Sequence, residues 1–519
     1  MSLEPVELAQ SATEPSSKTV TAPPPHFLAR IFGRSTMDMG VLLLVTFIFS
    51  GLVMPEVILA DPDIWWHLAD ARILTEAHHF IHVEPYSFTV AGQPWVDPEW
   101  LSELIFWLGY KAIGLVGIYV ATLIGLSANM LLLYWRSFFK SRHGGVALWT
   151  GILAVLLMTV NASARTILFA YLALSAEMAI LEAVERGKSR LLWLLPPLFC
   201  IWINLHGSWI IGLSLFALFI VSGMFRVSLG MFEQEAFSSG DRNRLLAVLG
   251  ASLGAVMINP YGWHLVWNPF DMAFNQTLNI ASVQEWQPLN LGWFVGKAAA
   301  LAIALTIATN AIHQRKWKIF EIAVIFFAWY AAFDHARFTF LAAVLTIPIL
   351  SADLARGFFP SPNPKTIPAI NALLAAGALC VIAWYFPTQT KLEKGMAREL
   401  PLQTIASIQP SWRTFNQESL GGIMDFDYKP TFIDTRWDIF EHKGVMKDFL
   451  DVVHFQDSLR ILDKYSIDHV VLRDDHQLAY LLEHTQGWVI VHKEQVGQDQ
   501  YLLFARSASI PQPAPVTRK

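Results

Sequence analysis

The chain has 519 residues, of which 54% are hydrophobic and 15% charged, and its formal net charge at pH 7 is -5. That hydrophobic fraction is too large for the surface of a soluble globular protein, so most of the chain must face lipid or other apolar helices. The basic residues form no block, which excludes a nucleic-acid-binding surface. The two cysteines, Cys200 and Cys380, lie in separate apolar runs, which argues against a disulfide framework or a zinc site.

The N-terminal residues 1–36 are rich in Ser, Thr, Pro and Glu and begin without an apolar stretch. This composition predicts a disordered cytoplasmic tail and not a cleavable signal peptide. The apolar run at 39–60 follows Arg30 and Arg34 and is long enough to cross a hydrocarbon core of about 30 Å. We therefore expect it to insert with its N-terminus inside.

Ten further apolar runs follow, and with the first they predict about eleven spans within a transmembrane domain of residues 37–387. They lie near residues 114–135, 145–160, 166–184, 191–203, 208–225, 245–258, 292–311, 319–333, 338–351 and 367–386. The apolar segment 99–113 is too short to cross completely, so we expect a re-entrant or interfacial helix within a first external loop of residues 61–113.

The distribution of Lys and Arg over the connectors predicts the orientation, because basic connectors stay inside. The basic connectors are 136–142, 186–190, 315–318 and the segment around Arg356 and Lys365. The alternate connectors then lie outside, and they carry the short polar motifs with His206, Glu285 and Arg337. A single orientation of the spans thus places all these motifs on the same side of the membrane.

Beyond the last span, residues 388–508 alternate helical stretches with strand-like runs at 431–433, 469–472 and 488–492. This alternation predicts a small soluble α/β domain on the outer face. The Pro-rich residues 509–519 are expected to form a loose tail. The predicted fold class is therefore a polytopic α-helical membrane protein with a C-terminal soluble α/β domain.

The first polar motif directly follows the first span and contains Asp61, Asp63, Trp66 and His67, with Glu99 further along the same loop. Either aspartate could act as a general base or orienter for an acceptor hydroxyl at the edge of the bilayer. The alternative is an interfacial belt in which tryptophans sit at the headgroup level and an aspartate caps the following helix. The residues alone leave both interpretations open.

A second motif places Asn204 and His206 between two apolar runs with almost no loop. Polar groups at that depth are costly unless they have partners. They could bind a phosphate or sugar hydroxyls, or they could satisfy backbone groups around the helix break at Gly207. Both interpretations stay open here.

Two further motifs lie on outer connectors. The turn at 259–264, with Glu285 and Trp286 downstream, could form a sugar platform or a structural turn with anchoring tryptophans. In the segment 334–338, Arg337 could hold a phosphate bidentately while Asp334 orients His335, or the two charges could simply pair. The polar segment 432–438 in the C-terminal domain is interpreted as a turn at a strand end. No glycine-rich phosphate loop or His-Glu-x-x-His motif is present, so the sequence does not support chemistry on a soluble nucleotide.

The order of these motifs resembles the GT-C superfamily of membrane glycosyltransferases, in particular the protein O-mannosyltransferases and the lipid A aminoarabinose transferase. Asp61-Pro62-Asp63, with Trp66 and His67, looks like the acidic motif that closes the first helix there, and Pro98-Glu99-Trp100-Leu101 matches a later loop segment. A closer likeness is to bacterial members with no assigned reaction, which share the Trp-Trp-His-Leu, Asn-Leu-His-Gly, Asn-Pro-Tyr-Gly-Trp, Glu-Trp and Phe-Ile-Asp-x-Arg runs.

The resemblance implies a sugar donor on polyprenyl phosphate or diphosphate and inverting transfer to a hydroxyl of a glycan, lipid or protein on the periplasmic side of a bacterial inner membrane. It makes Asp63 the base with Asp61 in support, and Arg337 or His206 the partner of the leaving phosphate. The remaining implied substrate-binding residues are Trp66, His67, Glu99, Asn204, Glu285 and His335.

Better-understood transferases of the superfamily carry an adjacent Asp-Glu pair where this chain has two aspartates separated by Pro62, so either aspartate could be the base. A divalent metal beside them is compatible with the sequence, but no cofactor is required. A transporter or flippase of lipid-linked glycans would use the same aromatic and cationic groups without chemistry. A non-catalytic envelope-assembly subunit is a further alternative.

Overall fold

The computed structural model describes Leu59 and residues 61–313, 315–358 and 368–509. The predicted N-terminal tail, nearly all of the first apolar run and the tail beyond residue 509 lie outside these ranges. Two elements open the described part and carry the first loop: α1 (Asp63–Glu76) and α2 (Trp100–Ile113).

Before the C-terminal part, the described residues contain a series of helices, most of them apolar. After α2 they are α3 (Leu115–Ser141), α4 (Gly144–Met158), α5 (Ile167–Glu185), α6 (Leu195–Leu205), α7 (Trp209–Ser222), α8 (Ser239–Ala255), α9 (Trp263–Asn275), α10 (Thr277–Ser282), α11 (Phe294–His313), α12 (Ile319–Asp334), α13 (Thr339–Phe358) and α14 (Pro368–Tyr385). A short antiparallel hairpin of β1 (Val227–Leu229) and β2 (Phe232–Gln234) lies between α7 and α8.

Among the described residues, five helical segments are long and apolar enough to cross a membrane: Leu115–Ser141, Gly144–Asn161, Ile167–Glu185, Phe294–His313 and Ala336–Phe358. Two shorter apolar segments, Ser189–Leu205 and Trp209–Ser222, join them. The chain is thus a helical membrane protein, as predicted, while the number of about eleven spans remains a prediction. Helix α13 is buried on nearly all sides by α3, α4, α11 and α12, which is why it is apolar all round.

The segment predicted as re-entrant is helix α2, which turns back on α3. It ends at Gly114, whose φ of +66° is unfavourable for residues with a Cβ. Directly afterwards Gly117 lies against the backbone of Gly109, with no space for a Cβ on either residue. The two glycines thus permit the close helical hairpin that returns the first loop to the bundle.

The C-terminal part contains short helices and a four-stranded sheet in the order β3-β4-β6-β5, with β3 parallel to β4 and the other pairs antiparallel. Its elements are α15 (Gln389–Met396), α16 (Leu402–Ser407), β3 (Thr414–Asn416), α17 (Glu418–Phe426), α18 (Trp437–His442), α19 (Val445–Val453), α20 (Ser458–Lys464), β4 (His469–Arg473), α21 (Gln477–Glu483), β5 (Trp488–Val496) and β6 (Asp499–Arg506).

The predicted strand-like runs at 469–472 and 488–492 lie in β4 and β5 and are confirmed. The prediction for 431–433 was wrong: Thr431 makes only an isolated bridge, to Ser87. Its carbonyl accepts the backbone N–H of Phe88, while the next N–H is bound by the Asn416 side chain. The segment therefore bonds to a loop and a side chain in place of a neighbouring strand.

The first loop completes the core of the C-terminal domain. Trp66 and Trp95 pack in one buried cluster with Phe432 and the sheet. Glu84 Oε2 lies 2.7 Å from Arg436 Nη1, and both side chains are almost fully buried. The first motif and the loop that follows it are thereby fixed against the C-terminal domain.

Candidate active site

A cavity of about 760 Å³ lies between the first loop, the connectors predicted to be external and the C-terminal domain. Its charged and polar lining includes Asp63, His67, Glu99, Arg165, His206, Glu285, Arg337, Thr435, Arg436 and Asp438, and its aromatic lining includes Trp66, Trp95, Trp286, Trp293 and Trp437. Motifs separated by hundreds of positions are thus brought to a single site. This arrangement agrees with the prediction that they share one face of the molecule.

Arg165 holds three carboxylates together at one side of the cavity. Its Nε donates to Asp61 Oδ2 at 2.6 Å, and its Nη1 donates to Glu285 Oε2 at 2.5 Å. Its Nη2 lies 3.9 Å from Asp63 Oδ2. A guanidinium presents several donors in one plane, which suits this arrangement.

Asp61 has no free oxygen. Its Oδ2 also accepts from Ser163 Oγ at 2.6 Å, and its Oδ1 accepts the backbone N–H of Asp63 at 3.2 Å, at the start of α1. Asp61 does not line the cavity. It therefore positions Arg165 and the beginning of the helix, which agrees with the capping interpretation for this aspartate.

Asp63 faces the cavity, and its carboxylate is only partly used. Its Oδ1 accepts from Thr435 Oγ1 at 2.5 Å, and Thr435 in turn accepts from Trp66 Nε1 at 3.0 Å. Burial raises the pKa of Asp63 to about 7, and the nearby charge of Asp61 adds to the rise while Arg165 and Thr435 oppose it. A carboxylate with such a pKa is a stronger base than an ordinary aspartate.

Arg337 presents a second cation to the cavity. Its guanidinium lies 4.2 Å above the ring of Trp286, and its Nη1 is 3.9 Å from Glu285 Oε1. Its backbone carbonyl is fixed by hydrogen bonds from Asn161 and Tyr171. The guanidinium N–H groups of Arg337 that do not face Glu285 remain available to bind an anionic ligand.

Glu99 is surrounded by three polar side chains. Thr166 Oγ1 donates to its Oε2 at 2.5 Å, and His206 Nε2 lies 3.2 Å from its Oε1. Because His206 Nδ1 accepts the backbone N–H of Ser208, the proton is on Nε2. Burial lowers the pKa of His206 to about 3 and that of His67 to about 4, so both rings are neutral near pH 7. His206 is therefore a hydrogen-bond donor and not a cation for a phosphate.

Two of the predicted substrate-binding residues do not line the cavity. Asn204 donates to the carbonyls of Cys200 and Ile258 and accepts from Trp100 Nε1, which uses its whole amide. His335 Nδ1 lies 2.5 Å from the carbonyl of Trp286. In this structure both side chains hold connectors in place, and their roles in substrate binding remain predictions.

Several cavity residues were not identified from the sequence as site residues, among them Arg165, Thr435 and Asp438. Arg165 is the one charged residue of the connector 162–166 and lines the cavity. An isolated arginine on a connector predicted to be external is the one sequence feature that could have identified it. Thr435 lies in a segment interpreted as a structural turn. Asp438, in the same segment, accepts from Trp95 Nε1 at 3.1 Å, and burial raises its pKa to about 6.

The cavity carboxylates do not converge on a point where a metal ion would fit, because the Arg165 guanidinium takes the place between Asp61, Asp63 and Glu285. A metal at this position therefore remains a prediction that the donor set does not favour. In the part of the chain that the structure describes, the one group of three side chains close enough to share an ion is Asp70, Asp97 and Glu103.

The fold, with a helical membrane part and a C-terminal domain that contains a sheet, resembles that of an archaeal oligosaccharyltransferase. No family model and no curated protein sequence matches the chain. The apo oligosaccharyltransferase of Archaeoglobus fulgidus aligns with a TM-score of 0.51 and 9% identity over 84% of this chain and 69% of that one. The same enzyme in complex with an inhibitory peptide and a dolichol-phosphate aligns with a TM-score of 0.51 and 10% identity over 91% and 74%. At such identities the likeness concerns the fold alone.

Proposed function

We propose that this chain is an integral-membrane glycosyltransferase that moves a sugar from a polyprenyl-phosphate-linked donor to an acceptor hydroxyl on the periplasmic side. The observation that carries the proposal is the cavity that unites Asp63 and Arg337 where apolar helices meet a polar domain. A lipid-borne donor and a water-borne acceptor can both reach such a boundary.

Asp63 is the proposed general base. It takes the proton of the acceptor hydroxyl while the hydroxyl oxygen forms a bond to the anomeric carbon. The bond from that carbon to the phosphate oxygen breaks, and its electron pair leaves on the lipid phosphate. Attack from the face opposite the phosphate inverts the anomeric centre. A pKa of about 7 leaves roughly half of Asp63 ionised near neutral pH.

Arg337 is the proposed partner of the leaving phosphate. It is a permanent cation, and its position over Trp286 leaves donors free for bidentate binding. The tryptophans of the lining offer ring faces for the apolar sides of a sugar. The dolichol-phosphate bound to the Archaeoglobus enzyme supports a lipid phosphate as the product. The bound peptide there keeps a protein acceptor among the candidates, beside glycans and lipids.

The basic connectors support the proposed orientation. Lys140 and Arg315 form ion pairs with Glu321, at the end of the bundle reached by the connectors predicted to be cytoplasmic. The cavity motifs belong to the alternate connectors. We therefore place the C-terminal domain in the periplasm and the N-terminus in the cytoplasm of a bacterial inner membrane. More specifically, we propose that the chain is a transferase of the protein O-mannosyltransferase or aminoarabinose transferase type.

Disruption of the gene tests the proposal. Mass spectrometry of the lipid-linked sugar pool, the glycolipids and the surface glycans should show an accumulated donor and one missing glycosylated product. The mass of the missing group would identify the sugar. Unchanged pools and glycans in the disrupted strain would contradict a transferase function.

A further inference from the structure

We propose that Asp70, Asp97 and Glu103 form a binding site for a hard divalent cation, of which Ca²⁺ is the best match. The three carboxylates lie behind His67 and do not line the cavity. They come from α1, from the loop that follows it and from α2, so that three parts of the first loop would share one ion.

The geometry suits an ion of this size. One oxygen from each carboxylate lies within 4.8 Å of the other two. Calcium binds oxygen at about 2.3–2.6 Å, so that ligands on opposite sides of the ion are about 5 Å apart. All three side chains are at most 3% exposed, and Asp70 and Glu103 lie on helices.

Some buried oxygen atoms of this region have no hydrogen-bond partner, which indicates that a ligand binds there. Asp70 Oδ2 and Glu103 Oε2 are buried and have no hydrogen-bond partner. The hydroxyl of Tyr261, from a different connector, is also buried without a partner. Burial and the charges of all three carboxyls raise the pKa of Tyr261, so the hydroxyl lies within electrostatic range of the group. Tyr261 adds a neutral oxygen to the donor set.

Among the described residues the three carboxyls also lack a Lys or Arg partner, and burial raises the pKa of each of them. In the described part of the chain, no Lys or Arg nitrogen forms an ion pair with these three carboxylates, and the nearby Arg436 is engaged by Glu84 and Asp434. The other oxygen of Asp70 accepts from Tyr86 at 2.6 Å. Oxygen ligands with excess negative charge select Ca²⁺ or Mg²⁺ over softer metals.

The site would connect directly to the cavity wall. Glu103 Oε1 lies 2.7 Å from His67 Nδ1, and His67 Nε2 faces Glu99 at 3.6 Å. A cation keeps Glu103 ionised, so that His67 donates from Nδ1 and turns an unprotonated Nε2 toward the cavity. The ion thus orders the histidine that separates the two groups of carboxylates.

The test uses the purified full-length protein in detergent, stripped with EDTA and titrated with Ca²⁺. Equilibrium dialysis should show one ion per chain, and Ca²⁺ should raise the melting temperature. Asp97→Asn and Glu103→Gln should each weaken binding at least tenfold and remove the rise in melting temperature. Both variants should melt in EDTA at or above the wild-type temperature, because each removes a like charge from the cluster and keeps the shape.

Two control variants locate the ion. Asp63→Asn, in the cavity, and Glu177→Gln, a buried carboxyl without a partner in α5, should both keep the binding. The proposal is overturned if the wild type binds no Ca²⁺, if Asp97→Asn and Glu103→Gln still bind it, or if Asp63→Asn abolishes binding. Because binding and melting are measured without turnover, failure here is distinguishable from failure of the proposed transferase function.

Discussion

Thr435 Oγ1 donates a 2.5 Å hydrogen bond to Asp63 Oδ1, although 372 positions separate the two residues in the chain. This bond joins the proposed base, on α1, to the C-terminal domain. It stabilises the ionised carboxylate and so opposes the rise in the pKa of Asp63 that burial causes.

Thr435→Val should therefore lower activity at neutral pH. Without the hydrogen bond the pKa of Asp63 rises further, and a smaller fraction is ionised at pH 7. The activity should recover as the pH is raised, because the base is the ionised form. The measurement is the pH profile of activity, in which the lower limb moves to higher pH. Thr414→Val is the matched control, because the buried Thr414 hydroxyl has no hydrogen-bond partner. An unshifted profile in Thr435→Val would show that the bond does not tune the base.

Arg165→Gln should cost both stability and activity, since it leaves Asp61 and Glu285 without their cation. We expect a loss of about 2 kcal/mol, less than the 3–5 kcal/mol typical of a fully buried pair, because the Arg165 side chain is 21% exposed. Adding Asp61→Asn to Arg165→Gln should restore part of the stability, because one unpaired carboxylate is removed. Thermal unfolding of the single and double variants checks this, and strictly additive losses would show that the pair is not coupled.

Gly422→Ala should disturb the contact between α17 and α1. A Cβ at Gly422 would collide with the carbonyl oxygen of Pro62 and lie 3.3 Å from the backbone nitrogen of Trp66. The shift would move Asp63, and a displacement of about 1 Å can cost a hundredfold in rate. Gly250→Ala is the control, since a Cβ there meets nothing within 4 Å. It should leave activity unchanged and add helix propensity. Wild-type activity in Gly422→Ala would mean that the docking of α17 does not position the site.

The orientation can be tested with single cysteines in a chain whose Cys200 and Cys380 are replaced by Ser. Asn275→Cys, on an outer connector, should react with a membrane-impermeant thiol reagent in intact spheroplasts. Lys188→Cys should react only after permeabilisation. Both positions are exposed, so that accessibility does not bias the comparison. The opposite labelling pattern would place the cavity in the cytoplasm.

Much of the fold and part of the site could be predicted from the sequence. Long apolar runs predict a helical membrane protein whatever its tertiary contacts, and the carboxylates Asp63 and Glu285 lie in the short polar motifs that separate these runs. Asn204 and His206 show the limit: they are two positions apart, yet only His206 faces the cavity, because the end of α6 turns the residues in different directions. The same limit applies to Asp61 and Asp63. Their roles differ because Arg165, which lies 104 positions away from Asp61 in the chain, donates a hydrogen bond to Asp61.

Thr435 and Arg165 were missed for a related reason. Each lies in a short connecting segment, with no periodicity or spacing that marks it. Their importance arises from the packing of the first loop into the C-terminal domain, where Glu84 and Arg436 meet across 352 positions. A local pattern cannot report a contact of that range.

The most direct test of the proposed function is complementation of the disrupted strain with Asp63→Asn. Asn keeps the size of the side chain, so that membrane insertion and protein level should match the wild type. A positioned base contributes about a hundredfold to ten-thousandfold, and the lipid-linked donor should therefore accumulate and the product stay absent by mass spectrometry. Asp334→Asn, whose half-exposed carboxylate lies outside the cavity, should restore the wild-type pattern. Full restoration by Asp63→Asn would contradict the assignment of the base, and with it the central role given to this cavity.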